Sequence, residues 1–182
     1  ILTEGIAYIG RNAFSGCNKL HQVVLPISIE EIEDSAFENC SSLKSISLPM
    51  ALKTIGDAAL KGTGLRTIEI PKSVFWLGDG LLADCQSMER VTIPENIGRI
   101  PDRMFEGCTN LKKVELHEKL GAIGERAFFG CSSLDFIVIP DSVKQIGQDA
   151  FTNTDKQFII QCSFGSYAEE YARKNKFKYQ LV

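Results

Sequence analysis

A chain of 182 residues, 44% hydrophobic and 24% charged, has the make-up of a folded protein with enough apolar material for a sizeable core. Its 20 Lys and Arg against 23 Asp and Glu leave a net charge of −3. That balance supplies no polybasic field, so nucleic acid and anionic membrane surfaces are excluded as main partners. No apolar run approaches the roughly 18 residues that span a bilayer, so no membrane insertion is expected of this segment.

The first element is a partial unit, Ile1–Lys19, which begins inside a repeat, without an initiator Met or a signal peptide. A longer native N-terminus is therefore expected. Six further units follow: Leu20–Ser42, Leu43–Gly64, Leu65–Ser87, Met88–Asn110, Leu111–Ser133 and Leu134–Lys156. Each runs 23 residues except Leu43–Gly64, which is one shorter. Self-similarity at such a period is the signature of a solenoid. Residues 1–156 are thus predicted to be seven tandem repeats, and 157–182 a C-terminal cap.

Within each unit, position 4 (Val23, Ile46, Ile68, Val91, Val114, Ile137) and position 6 (Leu25, Leu48, Ile70, Ile93, Leu116, Ile139) are apolar. A spacing of two in largely β-branched residues predicts a short strand with these side chains inward. Position 7 is Pro in most units and His117 in one. Proline cannot donate to a ladder, so it ends the strand.

Position 13 (Ile9, Ile32, Ile55, Leu77, Ile100, Ile123, Ile146) predicts a second inward row. Position 14 is mostly Gly, but Glu33 and Pro101 also occupy it. Proline fixes φ near −65°, so these glycines are read as giving room, with no need for a left-handed backbone. Position 18 (Phe14, Phe37, Leu60, Leu82, Phe105, Phe128, Phe151) should stack into a spine of aromatic and leucine side chains. No single unit can bury these rows, whereas stacked units can.

After Lys156 the pattern stops. Gln157–Cys162 reads as a last strand, and Ser166 with Glu169 forms a capping-box signature for a helix from Tyr167 to about Asn175. Ala168, Tyr171 and Ala172 share one face of it, and Phe177–Leu181 reads as a returning strand. This segment suits the cover that a final repeat requires.

Units such as Leu134-Asp-Phe-Ile-Val-Ile-Pro-Asp-Ser-Val-Lys-Gln-Ile-Gly-Gln-Asp-Ala-Phe151 resemble the BspA-like, Treponema-type leucine-rich repeats, and Gly165-Ser-Tyr-Ala-Glu-Glu-Tyr-Ala172 resembles that family's terminal segment. The resemblance implies a right-handed leucine-rich-repeat superhelix: a parallel sheet on one side, short turns or helical turns with second short strands on the other, and a helix-containing C-terminal cap. It also implies a bacterial surface or secreted protein that acts in adhesion and protein binding. It carries no catalytic residues.

Cys17, Cys40, Cys85, Cys108 and Cys131 all fall in position 21, where Thr63 and Thr154 fill the gaps. Threonine can replace a small thiol that bonds locally, but not half of a disulfide. Adjacent rungs stand roughly 5 Å apart, whereas a disulfide wants Cβ atoms near 3.8 Å. The five are expected to form a buried ladder of reduced, structural thiols. Without a Cys-x-x-Cys motif or a His pair, no metal is expected, and no cofactor either. His21 and His117 lie too many repeats apart to share a catalytic site, and both are expected at the surface. Glu30, Glu31, Glu33 and Asp34 read as a solvated acidic edge.

Phe75 and Trp76 occupy positions 11 and 12, where other units carry residues such as Glu30-Glu31 or Lys144-Gln145. Two large aromatics at solvent-facing positions make them the candidate ligand-binding residues. An edge covered by a neighbouring domain is the alternative. The function most consistent with the sequence is a non-enzymatic, monomeric, extracellular or cell-surface module that binds an extracellular or host protein. Glycan binding through Phe75 and Trp76, and a passive spacer role, remain open beside it.

Overall fold

The computed structural model describes residues 2, 3 and 5–182; Ile1, which opens the partial first unit, lies outside them. In chain order the strands are β1 (Tyr8–Ile9), β2 (Gln22–Val24), β3 (Glu31–Ile32), β4 (Ser45–Ser47), β5 (Thr54–Ile55), β6 (Thr67–Glu69), β7 (Trp76–Leu77) and β8 (Arg90–Thr92). They continue as β9 (Arg99–Ile100), β10 (Lys113–Glu115), β11 (Ala122–Ile123), β12 (Phe136–Val138), β13 (Gln145–Ile146) and β14 (Ile159–Cys162). Helix α1 (Tyr167–Lys174) and β15 (Lys178–Leu181) complete the chain.

The described strand pairings are all parallel, and within the repeats they join like positions. Val23 lies beside Ile46, Val91 beside Val114, and Ile123 between Ile100 and Ile146. Each sequence column therefore becomes a row along the solenoid. The longer strands carry their middle residue inward and the flanking two outward, as in β8, where Val91 is buried between exposed Arg90 and Thr92. These strands do not form the single uninterrupted sheet expected from the sequence. They pair as β2–β4, β6–β8–β10 and β12–β14–β15. The first interruption falls at the unit that is one residue short.

The core is one continuous apolar interior. Phe37, Phe105, Phe128 and Phe151 are fully buried in it. Phe128 stacks 5.2 Å from Phe105 on one side and 5.2 Å from Phe151 on the other. Phe14 stacks on Phe37 at 5.1 Å, and Leu60 and Leu82 fill the rungs between the two aromatic runs.

The third side of each turn, positions 16 to 20, is also laddered. Phe14, Phe37 and Phe128 donate their N–H groups to the carbonyls of Ala36, Ala59 and Ala150 in the next turn, each at 2.8 Å. This requires left-handed backbone on either side of position 18. At position 16 that conformation is carried by Asn12, Ser35, Ala58, Gly80, Arg103, Arg126 and Asp149, with φ between 51° and 63°. At position 20 the residues are Gly16, Asn39, Gly62, Asp84, Gly107, Gly130 and Asn153, all with positive φ. Glycine, Asn and Asp tolerate that region best, so this column obeys a backbone rule.

At position 14 the backbone is not left-handed, and the glycines serve close approach. A Cβ on Gly78 would stand 2.3 Å from the Asp57 nitrogen, and one on Gly147 would stand 2.3 Å from the Glu125 nitrogen. That closeness lets a row of carboxylates bridge turns. Asp34, Asp57, Asp79 and Asp102 each accept, through Oδ1, the N–H of the position-15 residue in the next turn, at 2.7 to 3.0 Å. Glu33, at position 14, bridges in the opposite direction, accepting from the Arg11 N–H of the preceding turn at 2.7 Å. The acidic edge read as merely solvated is partly structural, because Glu33 and Asp34 fix the register of the first turns.

At the far end, Ser166 caps α1 by accepting from the Glu169 N–H at 3.2 Å, and Glu169 accepts in return from the Gly165 N–H at 2.7 Å. Ala168 and Ala172 are buried, while Tyr171 and Phe177 pack edge-on against Phe151. Strand β15 lies parallel to β14.

Candidate functional site

Of the five thiols in position 21, Cys40, Cys85, Cys108 and Cys131 are buried, and all five are free. Each buried one donates Sγ–H to the carbonyl of the position-18 residue one turn back, as Cys108 does to Leu82 and Cys131 to Phe105, both at 3.1 Å. Thr63 accomplishes the same end by donating to the Leu60 carbonyl at 2.9 Å. Cys17 departs from the expected pattern. It is exposed, because no preceding turn covers it among the described residues. Burial pushes the Cys131 thiol up to about 12 and raises those of Cys85 and Cys108. Such thiols hold almost no thiolate at neutral pH and are inert as nucleophiles. A Cys108→Thr substitution should cost about 1 kcal/mol or less, since the replacement hydroxyl finds a carbonyl acceptor. Urea titration checks this, and a loss above about 3 kcal/mol would show that the column demands sulfur.

His21 is exposed, but His117 is half-buried. Its Nδ1 accepts from the Lys119 N–H at 3.2 Å, so Nε2 carries the proton and donates to the Ile97 carbonyl at 3.1 Å. One bond lies within its own turn and the other reaches the preceding turn, so His117 is not the free surface residue expected from the sequence.

Phe75 and Trp76 stand 62% and 61% exposed. The cause is local. Trp76 alternates with inward-facing Leu77 in β7 and so points to solvent, while Phe75 occupies the turn before the strand. Their surroundings hold a feature that sequence reading missed. The short strands pair continuously as β1–β3–β5–β7 and again as β9–β11–β13, with a break between β7 and β9. In other turns the N–H of position 14 donates to the position-13 carbonyl one turn back, as Gly78 does to Ile55 at 2.8 Å. The residue due to bond the Leu77 carbonyl is Pro101, which has no N–H. Nor, among the described residues, does a backbone bond from Gly98 or Arg99 reach the Phe75 carbonyl. The signal was Pro101 in a glycine column, three residues after Gly98, which adds no side chain.

The parted strands leave a cleft of about 440 Å³. Phe75, Trp76 and Ile97 line it, with Gly98, Pro101 and the polar side chains of Asp57, Asp79 and Arg99. Arg99 is held by Asp102 in its own turn. No group of His, Cys, Asp and Glu able to hold a metal is found among the described residues. No helix among them is long and apolar enough to cross a membrane.

Parallel turns of two short strands and a left-handed third side, all facing one apolar interior, define a leucine-rich-repeat solenoid. A profile of the BspA type leucine rich repeat region matches in 6 copies over residues 1–89 and 36–158. The chain belongs to that family. Among solved structures it is similar to a leucine rich cell surface protein of Faecalibacterium prausnitzii, at 34% identity and a TM-score of 0.77. That match covers 88% of this chain and 45% of the other. A leucine-rich repeat protein of Bacteroides ovatus aligns over 100% of this chain and 57% of its own, at 27% identity and a TM-score of 0.71. The leucine rich repeat protein of T. pallidum aligns over 98% and 81%, at 26% identity and 0.71. The chain thus spans about half the length of the first two relatives. No curated protein matches it.

Proposed function

We propose that this chain is a non-enzymatic, extracellular binding module whose contact with a partner protein centres on Phe75 and Trp76. The observation that carries this reading is the pairing of two exposed aromatics with a cleft found where the short-strand ladder is broken. Rigid aromatic side chains contribute large contact area at little entropic cost and dominate binding hot spots. Leaving them in water has a solubility cost that a partner would remove. The family membership and the surface-protein name of the Faecalibacterium relative support an extracellular setting. A repeat lattice also favours binding over catalysis, because rows of like residues build packing and not a unique set of acid, base and nucleophile.

A glycan is the second reading, favoured by the aromatic and carboxylate lining of the cleft. Both are tested by screening the protein and its Trp76→Ala variant against arrays of extracellular proteins and glycans. Trp76→Ala should weaken capture of a protein partner by about 2 kcal/mol or more, the scale of a hot-spot residue, with the melting temperature nearly unchanged. Intact binding with a large loss of stability would show instead that Trp76 is packed against its own solenoid.

A further inference from the structure

We propose that the cleft between β7 and β9 receives an arginine side chain from the partner, its guanidinium stacked on Trp76 and hydrogen-bonded to the carboxylates of Asp57 and Asp79. This deepens the reading that Phe75 and Trp76 form the contact, and rests on it.

The hydrogen-bonding character of the cleft is one-sided. The Leu77 carbonyl faces Pro101, which has no N–H to give it, and the Phe75 carbonyl receives no backbone bond from the next turn. Asp57 and Asp79 spend Oδ1 on the N–H groups of Asp79 and Asp102, at 2.8 and 3.0 Å. Neither Oδ2 has a hydrogen bond or ion pair among the described residues. The cleft therefore presents acceptors that no protein donor among the described residues occupies.

The one cationic residue that lines the cleft is already matched. Arg99 pairs with Asp102, and Lys53, in the turn before Phe75, pairs with Glu30 at 2.6 Å. Along this edge Asp34 and Asp102 are paired with Arg11 and Arg99, whereas Asp57 and Asp79 have no ion-pair partner among the described residues, so the uncompensated charge at the cleft is negative. An acidic peptide or a sulfated or sialylated glycan would be repelled.

A cation is attracted on both counts. It gains from the face of an indole within about 6 Å of the ring centroid. Arginine fits better than lysine because its planar fork carries five donors and stacks on aromatic faces. Neighbouring rungs stand about 4.8 Å apart, a separation that the donor edges of one guanidinium can bridge.

Trp76 is the only Trp in the chain, so its fluorescence reports on the cleft alone. The test titrates the protein with acetylated, amidated hexa-arginine, and in parallel with hexa-lysine, hexa-glutamate and cellobiose. Hexa-arginine should change the Trp76 emission saturably and more tightly than hexa-lysine, with hexa-glutamate and cellobiose inactive. Asp57→Asn with Asp79→Asn should weaken hexa-arginine at least tenfold. Asparagine keeps the Oδ1 acceptor for the turn-to-turn bond, so the melting temperature should hold. Asp34→Asn removes one carboxylate outside the cleft, half the charge change of the pair, on a residue paired with Arg11 at 2.8 Å, and should have less than a threefold effect.

The proposal is overturned by a response to cellobiose in place of hexa-arginine, or by an Asp34→Asn effect equal to that of the double change. It is equally overturned if the double change leaves hexa-arginine binding intact. The two readings fail separately. If Trp76→Ala abolishes capture of a protein partner while the Asp57→Asn/Asp79→Asn pair does not, the binding edge stands and the arginine assignment falls. If Trp76→Ala leaves capture intact, the edge itself is wrong.

Discussion

Removing residues 165–182 should lower the melting temperature by about 10 °C or more, the largest effect expected of any change to this chain. The deletion takes away α1 and β15, and with them the cover over Phe151 and Phe158, which are now almost wholly buried. Tyr171 and Phe177 pack against that end at ring separations of 6.1 to 6.3 Å. Exposing an aromatic or aliphatic side chain of this kind costs about 1.5–3 kcal/mol each, and several are uncovered together. Because each turn is supported only by its neighbours, an open end lets unfolding propagate inward. Amide hydrogen exchange should therefore quicken first in β13 and β14. A truncated protein that remains soluble with an unchanged melting temperature would remove the capping role from this segment.

Phe128→Ala should destabilise the chain by about 3–5 kcal/mol, the range for losing a fully buried aromatic ring. Phe128 is stacked on both faces, so the vacancy opens two turn-to-turn interfaces at once. Phe14→Ala should cost much less, since Phe14 is only half-buried and stacks on Phe37 alone. Phe128→Leu should also be mild, because Leu60 and Leu82 already fill the same row. Equal losses for Phe14→Ala and Phe128→Ala in denaturant titrations would mean that the rings do not act as a continuous spine.

The inward rows were legible from the sequence because burial acts on each turn in the same manner. Val91, Ile100 and Phe105 are apolar for the same reason as their counterparts one repeat away, and repetition multiplies a weak periodic signal into a clear one. The left-handed residues were only half legible. Position 20 advertises itself through Gly, Asn and Asp in every turn, but position 16 mixes Asn12, Gly80 and Asp149 with Ser35, Ala58, Arg103 and Arg126, whose identities say nothing of a positive φ. Neighbouring turns impose the conformation there, through a ladder that local preference does not foresee.

The carboxylate bridges were hidden for a related reason. Asp57 and Asp79 look like ordinary surface acids, and only the stacking places each Oδ1 against the next turn's N–H. At the candidate site, Phe75 and Trp76 stood out because six sister units show what those positions otherwise hold. The cleft beside them did not. It arises from a missing N–H at Pro101, and the loss of one donor becomes a gap only when β7 and β9 are brought side by side.

The most direct test of the binding edge is hydrogen–deuterium exchange on a complex with a protein captured from the array. Protection should concentrate at Phe75–Leu77 and at Gly98–Arg99, on the two sides of the cleft, with the outward faces of β8, β10 and β12 unchanged. Protection confined to those strand faces, with Trp76 and Gly98 exchanging as in the free protein, would contradict a partner contact at the Phe75–Trp76 edge.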